Sequence, residues 1–420
     1  MFEIDINDYG YDCEGVGRRD DGKVCFVPYT IKGETVLAKE IEEEKSFIRC
    51  KCEEVKKKSD KRVKPLCPYF EVCGGCNLQH VCYDEELLIK KEVLSKQLCK
   101  AGYKGEIKVE RSENEYFYRN KIKLFRAEKG LGLKKPASNE VVVIEDCVIA
   151  EKDLGRAIKG VQTSVRAQNL LGQLNEVTLK CQGDDVLVWF NFEKDVKVSF
   201  QGLQIMLGYG SGIFVSVGND IPHKVLGAEN LTFKENGIDA KMKVNSFRQV
   251  NTPVADKLYD LVLKNIKVGD VVNAYSGAGL LTGMIAKKNR CYGIEIGVAE
   301  HNDAERLKRE NSLGKMFNFL GDVGRVLPKV LSKNIKTVVL DPPRKGCDKR
   351  VCEILDNSGV ERIIYISCDS ATLTRDLQRL KNYKISSATL FDMFPKTSNM
   401  ETLVVLDKIT LKKLPIKKEK

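Results

Sequence analysis

Three short stretches place reactive or ligand-binding residues directly after runs of branched apolar residues. "IIYISCDS" leads to Cys368, "VVLDPPRKG" to Asp341, and "VVNAYSGAG" to Gly277 and Gly279. A cysteine at a polar strand end suits nucleophilic catalysis, because a thiolate is strongly nucleophilic even when only a small fraction is ionised. The same residue could be a metal ligand or a small buried side chain, so the motif alone leaves three readings open.

The glycine turn indicates a nucleotide-like ligand. Gly277 and Gly279 follow a strand and open a helix, where the backbone can approach a ligand closely. Glu295 ends the next strand, "RCYGIEI", and a carboxylate there can accept both hydroxyls of a ribose. Asp322, in "FLGDVGRVL", could accept from an adenine amino group. The two prolines after Asp341 predict a rigid, extended loop, and an acidic residue before such a pair favours S-adenosylmethionine over a nicotinamide cofactor.

The elements around these residues predict a doubly wound sheet. From residue 247 onward, apolar strands alternate with glycine turns and helices, which is typical of a mostly parallel α/β fold. Ligands bind such sheets at the carboxyl ends of the strands. We therefore expect the polar residues that follow each strand to converge on one site. Asp369 and Ser370 are predicted to cap the helix after Cys368, near whose N-terminus a thiolate is favoured.

The rest of the chain divides by composition. The first 58 residues contain short strand-like segments and no helix of normal length, which predicts a small β-barrel. Apolar spacing predicts helices over 83–100 and near 153–171. The predicted domains are a barrel (1–58), a cysteine-rich segment with the start of a central domain (59–150), a central α+β domain (151–246), the α/β domain (247–410) and a basic tail (411–420).

Charge and hydropathy restrict the partners. The 420 residues carry a formal net charge of +11, which favours an anionic partner such as nucleic acid. No window approaches the roughly 18 unbroken apolar residues of a membrane helix, and "MFEIDINDYG" lacks the features of a secretory signal. We therefore expect a cytoplasmic protein with no membrane partner.

The fifteen cysteines argue for thiol or metal chemistry rather than a disulfide framework. Cys67, Cys73 and Cys76 have the spacing CxxxxxCxxC, and Cys147 lies 71 residues further on. Four thiolates can hold an iron–sulfur cluster or a zinc ion. Cys82 is a local alternative to Cys147 as the fourth ligand.

Taken together, the motifs resemble one family. They are "CPYFEVCGGCNLQH", "YFYRNKIKL", "FRQVN", "AYSGAG", "LDPPRKG", "ISCDSATLTRD" and "FPKTSNMET". The chain resembles the S-adenosylmethionine-dependent RNA uracil-5-methyltransferases over nearly its whole length. The resemblance implies a Rossmann-like class I methyltransferase domain at the C-terminus, an N-terminal barrel of the TRAM (OB-like) type, and a central α+β domain carrying the cysteine cluster.

The resemblance also implies roles for individual residues. Cys368 becomes the nucleophile and Glu401 the general base, and the four cysteines become ligands of a [4Fe-4S] cluster, with zinc as the second possibility. The implied cofactor-binding residues are Gln249, Tyr275, Gly277, Gly279, Leu280, Glu295, Asp322 and Asp341. Leu280 can contribute only its backbone. Basic residues interleaved with aromatics in "YFYRNKIKLFR" make Arg119 and Lys121 the predicted RNA contacts.

Four positions depart from the family pattern. Asn273 stands where Asp is usual, Ser370 where Pro is frequent, and Arg248 where an aromatic is frequent. Asn399 stands where a histidine commonly precedes the glutamate by two residues, which affects how Glu401 is oriented.

Three functions are compatible with the sequence. The barrel and the cysteine cluster resemble the branch that modifies large-subunit ribosomal RNA, so a monomer methylating a uridine of 23S ribosomal RNA is the first prediction. The second is the same reaction on tRNA, whose bacterial enzymes generally lack both features. The third is a non-catalytic RNA-binding factor of ribosome assembly that keeps the fold.

Overall fold

The computed structural model describes residues 1–208 and 210–409, and the chain divides into two compact units. The first unit contains Met1–Lys96, Val109–Lys257 and Phe391–Met400. The second contains Gln97–Lys108, Leu258–Leu390 and, of the described residues, 401–409. The predicted basic tail, 411–420, lies outside the described residues.

The first unit begins with a six-stranded sheet in the order β1-β5-β6-β4-β3-β2. Its strands are β1 (Phe2–Asp5), β2 (Asp8–Tyr9), β3 (Gly15–Arg18), β4 (Val24–Val27), β5 (Thr35–Glu43) and β6 (Phe47–Lys57). Alternate residues are buried, such as Val36 and Ala38 of β5 and Ile48 and Cys50 of β6. Their side chains form one small core, as the period of two along a strand requires.

A long helix and a short strand follow, α1 (Tyr83–Lys100) and β7 (Ile107–Glu110). The helix has the bounds that the sequence predicts. Its first turn contains acidic residues, whose negative charges interact favourably with the positive end of the helix dipole.

A seven-stranded sheet forms the main core of the first unit, in the order β10-β9-β8-β11-β12-β13-β14. Its elements are β8 (Lys121–Ala127), β9 (Gly130–Lys134), β10 (Val141–Val143), α2 (Lys152–Ala167), β11 (Leu174–Gln182), β12 (Asp185–Phe192), α3 (Gln201–Leu207), β13 (Gly212–Val217) and β14 (His223–Gly227). Apolar residues of α2 and α3 pack into one cluster with those of the strands. Helix α2 ends four residues earlier than predicted, because Asn169 adopts a left-handed conformation at φ +51°.

A two-stranded sheet follows, made of β15 (Leu231–Glu235) and β16 (Ile238–Met242), and then helix α4 (Thr252–Asn265). The residues between β16 and α4 contain the "FRQVN" motif.

The second unit is built on a sheet in the order β19-β18-β17-β20-β21-β23-β22-β7. Its further elements are β17 (Asp270–Ala274), α5 (Leu280–Ala286), β18 (Cys291–Glu295), α6 (Val298–Glu310), β19 (Met316–Leu320), α7 (Val323–Val330), β20 (Ile335–Leu340), α8 (Lys349–Asp356), β21 (Arg362–Ser367), α9 (Ser370–Leu377), β22 (Tyr383–Phe391) and β23 (Glu401–Lys408). The first five strands are parallel, and β23 runs antiparallel to β21.

The α/β prediction for the C-terminal part is confirmed. Strand order reverses at β17, which has β18 on one side and β20 on the other. In open α/β sheets such a reversal opens a crevice at the carboxyl ends of the strands, where ligands bind. Among the described residues, 1–208 and 210–409, no helix combines the length and apolar character needed to cross a bilayer.

Buried charges anchor the segment Phe391–Met400 within the first unit. The Lys90 ammonium is fully buried and lies 2.6 Å from Asp392 and 2.8 Å from Glu86. Lys396, 1% exposed, pairs with Glu86 at 3.3 Å and with Glu115 at 2.8 Å. A buried charge is costly unless it is paired. Each member of this network therefore depends on the others.

We expect Lys90→Met to lower the free energy of unfolding by about 3–5 kcal/mol, because it leaves Asp392 buried without its cation. Urea denaturation followed by circular dichroism measures the change. Lys61→Met is the matched control, since Lys61 pairs with Asp60 on the surface and should leave the midpoint unchanged. Equal midpoints for both variants would contradict this account.

Candidate active site

Cys368 and Glu401 are brought together at the ends of two paired strands. Strand β21 pairs with β23 with Ser367 opposite Thr402, so the next pair outward is Cys368 and Glu401. The apolar residues of β21 are buried, whereas Cys368 is half-buried and Glu401 is 3% exposed. The strand therefore presents the thiol at the edge of the sheet, facing a buried carboxyl group.

The surroundings of Cys368 keep its thiol largely protonated. Burial raises its pKa to about 11, and the negative charges of Glu401 and Asp341 contribute to this shift. The Arg344 guanidinium acts in the opposite direction and favours the thiolate. The reactivity of the thiol therefore depends on the balance between two carboxylates and one cation.

The two carboxyl groups also act on each other. Burial raises the pKa of Glu401 well above its usual range, and the charge of Asp341 raises it further, against the opposing charge of Arg344. Withdrawal from water raises the pKa of Asp341 as well. Two carboxylates that share a dry site do not both ionise readily, so the pair can hold a proton at neutral pH.

The turn after β21 fixes the start of α9. Asp369 is the N-cap, and its side chain accepts a hydrogen bond from the backbone N–H of Thr372 at 2.8 Å. Ser370 is the first residue of the helix rather than a cap, and its carbonyl accepts from the Thr374 hydroxyl at 2.7 Å. The cap prediction is therefore confirmed for Asp369 and wrong for Ser370, because Asp369 already satisfies the first-turn donor.

The two glycines of "AYSGAG" have different roles. Both have positive φ, +53° at Gly277 and +83° at Gly279. A Cβ at Gly279 would lie 2.7 Å from Ala304 and 2.8 Å from Met316, whereas a Cβ at Gly277 would meet no atom within 4 Å. Gly279 is thus required for packing, and Gly277 leaves open space over the backbone for a ligand.

Glu295 is oriented towards that space. One carboxylate oxygen accepts from the Gly277 N–H at 2.9 Å, and the other accepts from the Gly297 N–H at 2.8 Å. Each oxygen retains a lone pair for a further donor. The structure therefore brings Glu295 into direct contact with Gly277, and both are predicted cofactor-binding residues.

Tyr275, Asp322 and Leu280 lie at the ends of neighbouring elements. Tyr275 has φ +62°, and burial, contact with the Cys347 thiol and the charge of Asp322 raise the pKa of its phenol. Asp322 caps α7 by accepting from the Arg325 N–H at 3.2 Å. Leu280 is half-buried as the first residue of α5. The capping role of Asp322 was not evident from its motif.

Gln249 belongs to the first unit. It is buried, and its carbonyl accepts from the Asn120 amide at 3.0 Å. The neighbouring Arg248, which stands where the family often has an aromatic residue, is paired with Glu235 at 3.3 Å and stacks on Phe233. Its charge is therefore satisfied within the first unit.

The other two departures make local hydrogen bonds, although the buried Oδ1 of Asn273 accepts none from the described residues. Asn273 is buried in β17, and its amide donates to the Thr282 hydroxyl at 2.9 Å. The Asn399 backbone N–H donates to the Thr397 hydroxyl at 3.2 Å in the turn before β23.

The four cysteines of the predicted cluster lie within electrostatic reach of one another. Burial raises the pKa of Cys76 to about 12, and the charges of Cys147, Cys67 and Cys73 add to this. Cys67 and Cys73 act on Cys147 in the same way. The charge of Cys82 instead contributes to raising the pKa of Lys61. All fifteen cysteines lie in the described residues and all are free thiols.

Gln79 lies among these thiols. It is fully buried, its Oε1 accepts from the Cys67 N–H at 3.1 Å, and its Nε2 has no nitrogen or oxygen partner. Hydrogen bonds from Gln79 lower the pKa of Cys67 and Cys76, against the opposing effect of burial. Within residues 1–208 and 210–409, no group of three or more His, Cys, Asp or Glu side chains is arranged to hold a single metal ion.

Arg119 and Lys121 lie in a cationic part of the first unit. The Arg119 guanidinium donates to the Lys121 carbonyl at 2.8 Å. Lys121 pairs across the strands with Lys180, whose pKa is lowered to about 7 by burial and by the charge of Lys121. Burial and the charges of Lys123 and Arg119 lower the pKa of Lys121 as well. This concentration of cations provides a positive potential for an anion.

Arg344 is the residue that the sequence analysis missed. It follows the prolines of "LDPPRKG", and its charge acts on both Cys368 and Glu401. The available signal was a cation directly after an acidic residue and two prolines.

Comparison with known proteins places this site in a family. A family model described as tRNA (Uracil-5-)-methyltransferase matches residues 303–409, which include Cys368, Asp341 and Glu401. An uncharacterized RNA methyltransferase of Clostridium acetobutylicum is 30% identical over 97% of this chain and 97% of its own. One from Thermotoga maritima is 30% identical over 94% of this chain and 96% of its own.

A solved structure has the same fold. The crystal structure of Pyrococcus abyssi tRNA (uracil-54, C5)-methyltransferase in complex with S-adenosyl-L-homocysteine matches with a TM-score of 0.80 at 23% identity. It covers 96% of this chain and 100% of the archaeal one. The prediction of an RNA methyltransferase is confirmed by the two relatives of 30% identity, which cover nearly the whole chain. The chain belongs to the RNA methyltransferases, and the model that matches residues 303–409 agrees with the predicted uracil-5 branch.

Proposed function

We propose that the protein transfers a methyl group from S-adenosylmethionine to C5 of a uridine in RNA. The observation that carries the proposal is the pairing of Cys368 with Glu401 at the ends of β21 and β23. A nucleophile and a base at neighbouring strand ends can both act on one uracil ring, as methylation of a poorly nucleophilic ring carbon requires.

Cys368 starts the reaction as the nucleophile. Its thiolate bonds to C6 of the uracil ring, and the electrons of the C5–C6 double bond move to give an enolate with negative character at C5. This divides one difficult step into two easier ones. Arg344 assists by favouring the thiolate, whose pKa is otherwise raised by burial.

Glu401 completes the reaction as the base. After C5 has been methylated, the proton on C5 must leave before the C6–S bond can break and release Cys368. Burial and the charge of Asp341 raise the pKa of Glu401. The Glu401 carboxylate is therefore a stronger base than an ordinary glutamate, as proton abstraction near neutral pH requires.

The residues around Gly277 fit the cofactor. When bound, S-adenosylmethionine supplies an electrophilic methyl group. Gly277 leaves open space, and Glu295 is oriented to accept from ribose hydroxyls. Ile296 follows Glu295, Leu320 pairs with Glu295 across β18 and β19, and both present exposed apolar surface. The full set that we propose to contact it is Gln249, Tyr275, Gly277, Gly279, Leu280, Glu295, Asp322 and Asp341. The archaeal protein of the same fold was crystallised with S-adenosyl-L-homocysteine.

The RNA must present an accessible uridine. A base within a duplex cannot expose C5 and C6 to groups on both faces, so the target uridine is flipped out or unpaired. We propose that Arg119, Lys121 and the TRAM-like residues 1–58 contact the RNA, and that the protein acts as a monomer. The cationic side chains of Arg119 and Lys121 suit a phosphate backbone.

We propose 23S ribosomal RNA as the substrate, since the barrel-like N-terminal sheet and the cysteine group resemble the ribosomal branch. tRNA is the second candidate. It is favoured by the description of the matching family model and by the tRNA substrate named for the archaeal protein.

We propose that Cys67, Cys73, Cys76 and Cys147 hold a [4Fe-4S] cluster, with zinc as the second possibility. The four thiols influence one another, and the buried Nε2 of Gln79 is available to hydrogen-bond ligand sulfurs. A bound cluster would cross-link the segments that carry its ligands. None of the reaction steps assigned to Cys368 and Glu401 requires electron transfer.

The first test traps the covalent step. RNA containing 5-fluorouridine carries no removable proton at C5, so we expect an adduct with Cys368 that survives denaturation and is seen as a band of lower mobility on a denaturing gel. Cys368→Ala should abolish it, whereas Cys99→Ala should retain it, because Cys99 is exposed and outside the site. A chain that only binds RNA would give no adduct.

Glu401→Gln provides an independent test on ordinary RNA. Without a base, the methylated C5 keeps its proton and the C6–S bond persists, so we expect the variant to accumulate the adduct. Product formation should fall by at least about a hundredfold, within the range of general acid–base catalysis. Full turnover by this variant would exclude Glu401 as the base.

The substrate is tested with separate pools of ribosomal RNA and tRNA from cells that lack the gene. We expect 5-methyluridine to form in the 23S ribosomal RNA and not in the tRNA, as measured by mass spectrometry of nucleosides. Methylation of tRNA alone would replace the first candidate with the second.

The metal proposal is tested by comparing Cys147→Ser with Cys82→Ser after anaerobic purification. We expect iron and sulfide contents to fall in the first variant and to match the parent protein in the second, because Cys147, unlike Cys82, is among the thiols whose charge acts on Cys76. Zinc in place of iron and sulfide would support the second metal. Loss of the metal only in Cys82→Ser would reverse the ligand assignment.

A further inference from the structure

The loop that carries Arg344 is docked on helix α9. Four hydrogen bonds join this docking loop, residues 344–347, to the helix, and the longest runs from the Arg375 guanidinium to the Cys347 carbonyl at 3.5 Å. The Thr372 hydroxyl donates to the Arg344 carbonyl at 3.0 Å, and the Arg375 guanidinium donates to the Lys345 carbonyl at 2.8 Å. The Cys347 N–H donates to the Asp376 carboxylate at 2.7 Å. Backbone contacts at Arg344, Lys345 and Cys347 therefore fix the path of the loop.

Asp376 is the centre of this contact. It is fully buried. Besides the Cys347 N–H, it accepts from the Tyr365 hydroxyl at 2.8 Å, from Arg375 at 3.0 Å and from Arg379 at 3.1 Å. Charge-assisted hydrogen bonds of this kind are stronger than neutral ones. The carboxylate therefore ties the docking loop to β21 and to α9.

Gly346 permits the close approach. It has φ +74°, and a Cβ there would lie 2.5 Å from Arg375 and 2.5 Å from Asp376. The loop therefore lies against these two side chains with no room for a further carbon atom.

Helix α9 begins two residues after Cys368, so it connects the nucleophile to the docking loop. We infer that Thr372, Arg375 and Asp376 are positioning residues that fix the docking loop, which follows β20 next to the strand that leads to Cys368, and that they thereby fix the place of Arg344 relative to Cys368. The inference rests on the proposed role of Cys368 as the nucleophile. It assigns a function to helix residues that touch neither the substrate nor the reacting atoms.

The charges that face Cys368 explain why this position matters. Glu401 approaches from β23, Asp341 from the end of β20 and Arg344 from the docking loop. Asp369, on the thiol's own turn, is engaged in capping α9. Arg344 is the cation among these groups, and its side chain is exposed. Fixing its backbone restricts where an otherwise mobile guanidinium can lie.

The other end of the docking loop reaches the cofactor side. The Cys347 thiol contacts the phenol of Tyr275, which lies in the turn that leads to Gly277. A displaced loop would therefore disturb both Arg344 and Tyr275.

The decisive experiment measures alkylation of Cys368 by iodoacetamide, a neutral reagent, with peptide mass spectrometry to distinguish the fifteen cysteines. Thr372→Val removes the hydroxyl and keeps the side-chain shape. We expect it to slow alkylation of Cys368 at pH 8 by about twofold to threefold, because the rate follows the thiolate fraction. Thr372→Ser keeps the hydroxyl and should react at the parent rate.

A double-mutant cycle shows whether Thr372 acts through Arg344. Arg344→Gln alone should slow the alkylation by about fivefold, since it removes the cation that favours the thiolate. Adding Thr372→Val to that variant should cause no further loss. An equal loss in both backgrounds, or no effect of Thr372→Val in the parent, would overturn the inference.

Two further measurements keep the outcome clear. The double variant Asp341→Asn with Glu401→Gln removes the negative charge that this pair keeps when it holds one proton, and it should accelerate alkylation, which shows that the assay responds to charge. Asp376→Asn should slow it like Thr372→Val, provided that its melting curve shows a folded protein. The assay needs neither RNA nor S-adenosylmethionine, so a failure of the proposed methylation would leave these results unchanged.

Discussion

The register between β21 and β23 is the constraint on which the proposed chemistry depends. With Ser367 opposite Thr402, the residues that follow outward are Cys368 and Glu401. A slip of one residue would place Cys368 opposite Met400 or Thr402 instead of Glu401. Both faces of the two strands are buried, as at Ile363, Ile364, Leu403 and Val404, so a slip would also change the packing neighbours of every one of these side chains. Packing far from solvent thus determines which groups meet at the edge.

Much of the second unit could be predicted because its signals are local. Branched apolar strands followed by glycine turns predict the parallel sheet, and polar residues at strand ends predict the site. Cys368, Asp341 and Glu295 could be found in this way. The glycines were recognised together, although only the structure separates the packing role of Gly279 from the open space at Gly277. Local sequence does not reveal which atoms a missing Cβ would meet.

Other features depend on contacts between distant parts of the chain. Residues 391–400 follow β22 in sequence yet pack with the first unit through Lys90 and Glu86, which lie about three hundred residues earlier. The influence of Arg344 on the thiol arises because its loop folds back onto α9. Ser370 was predicted to be a cap, but a single residue position separates a cap from the first helical residue. None of these outcomes has a periodicity that could be recognised beforehand.

The buried network of Glu86, Lys90, Asp392 and Lys396 also has a consequence for how the sequence can change over time. Loss of one partner leaves a buried charge without compensation, whereas simultaneous replacement by apolar residues of similar volume can be neutral or stabilising. Intermediate sequences on a path of single substitutions would therefore be selected against. In descendants of this protein the four positions are expected to be inherited as a set and to covary when they change, so that helix α1 and the segment before β23 evolve together.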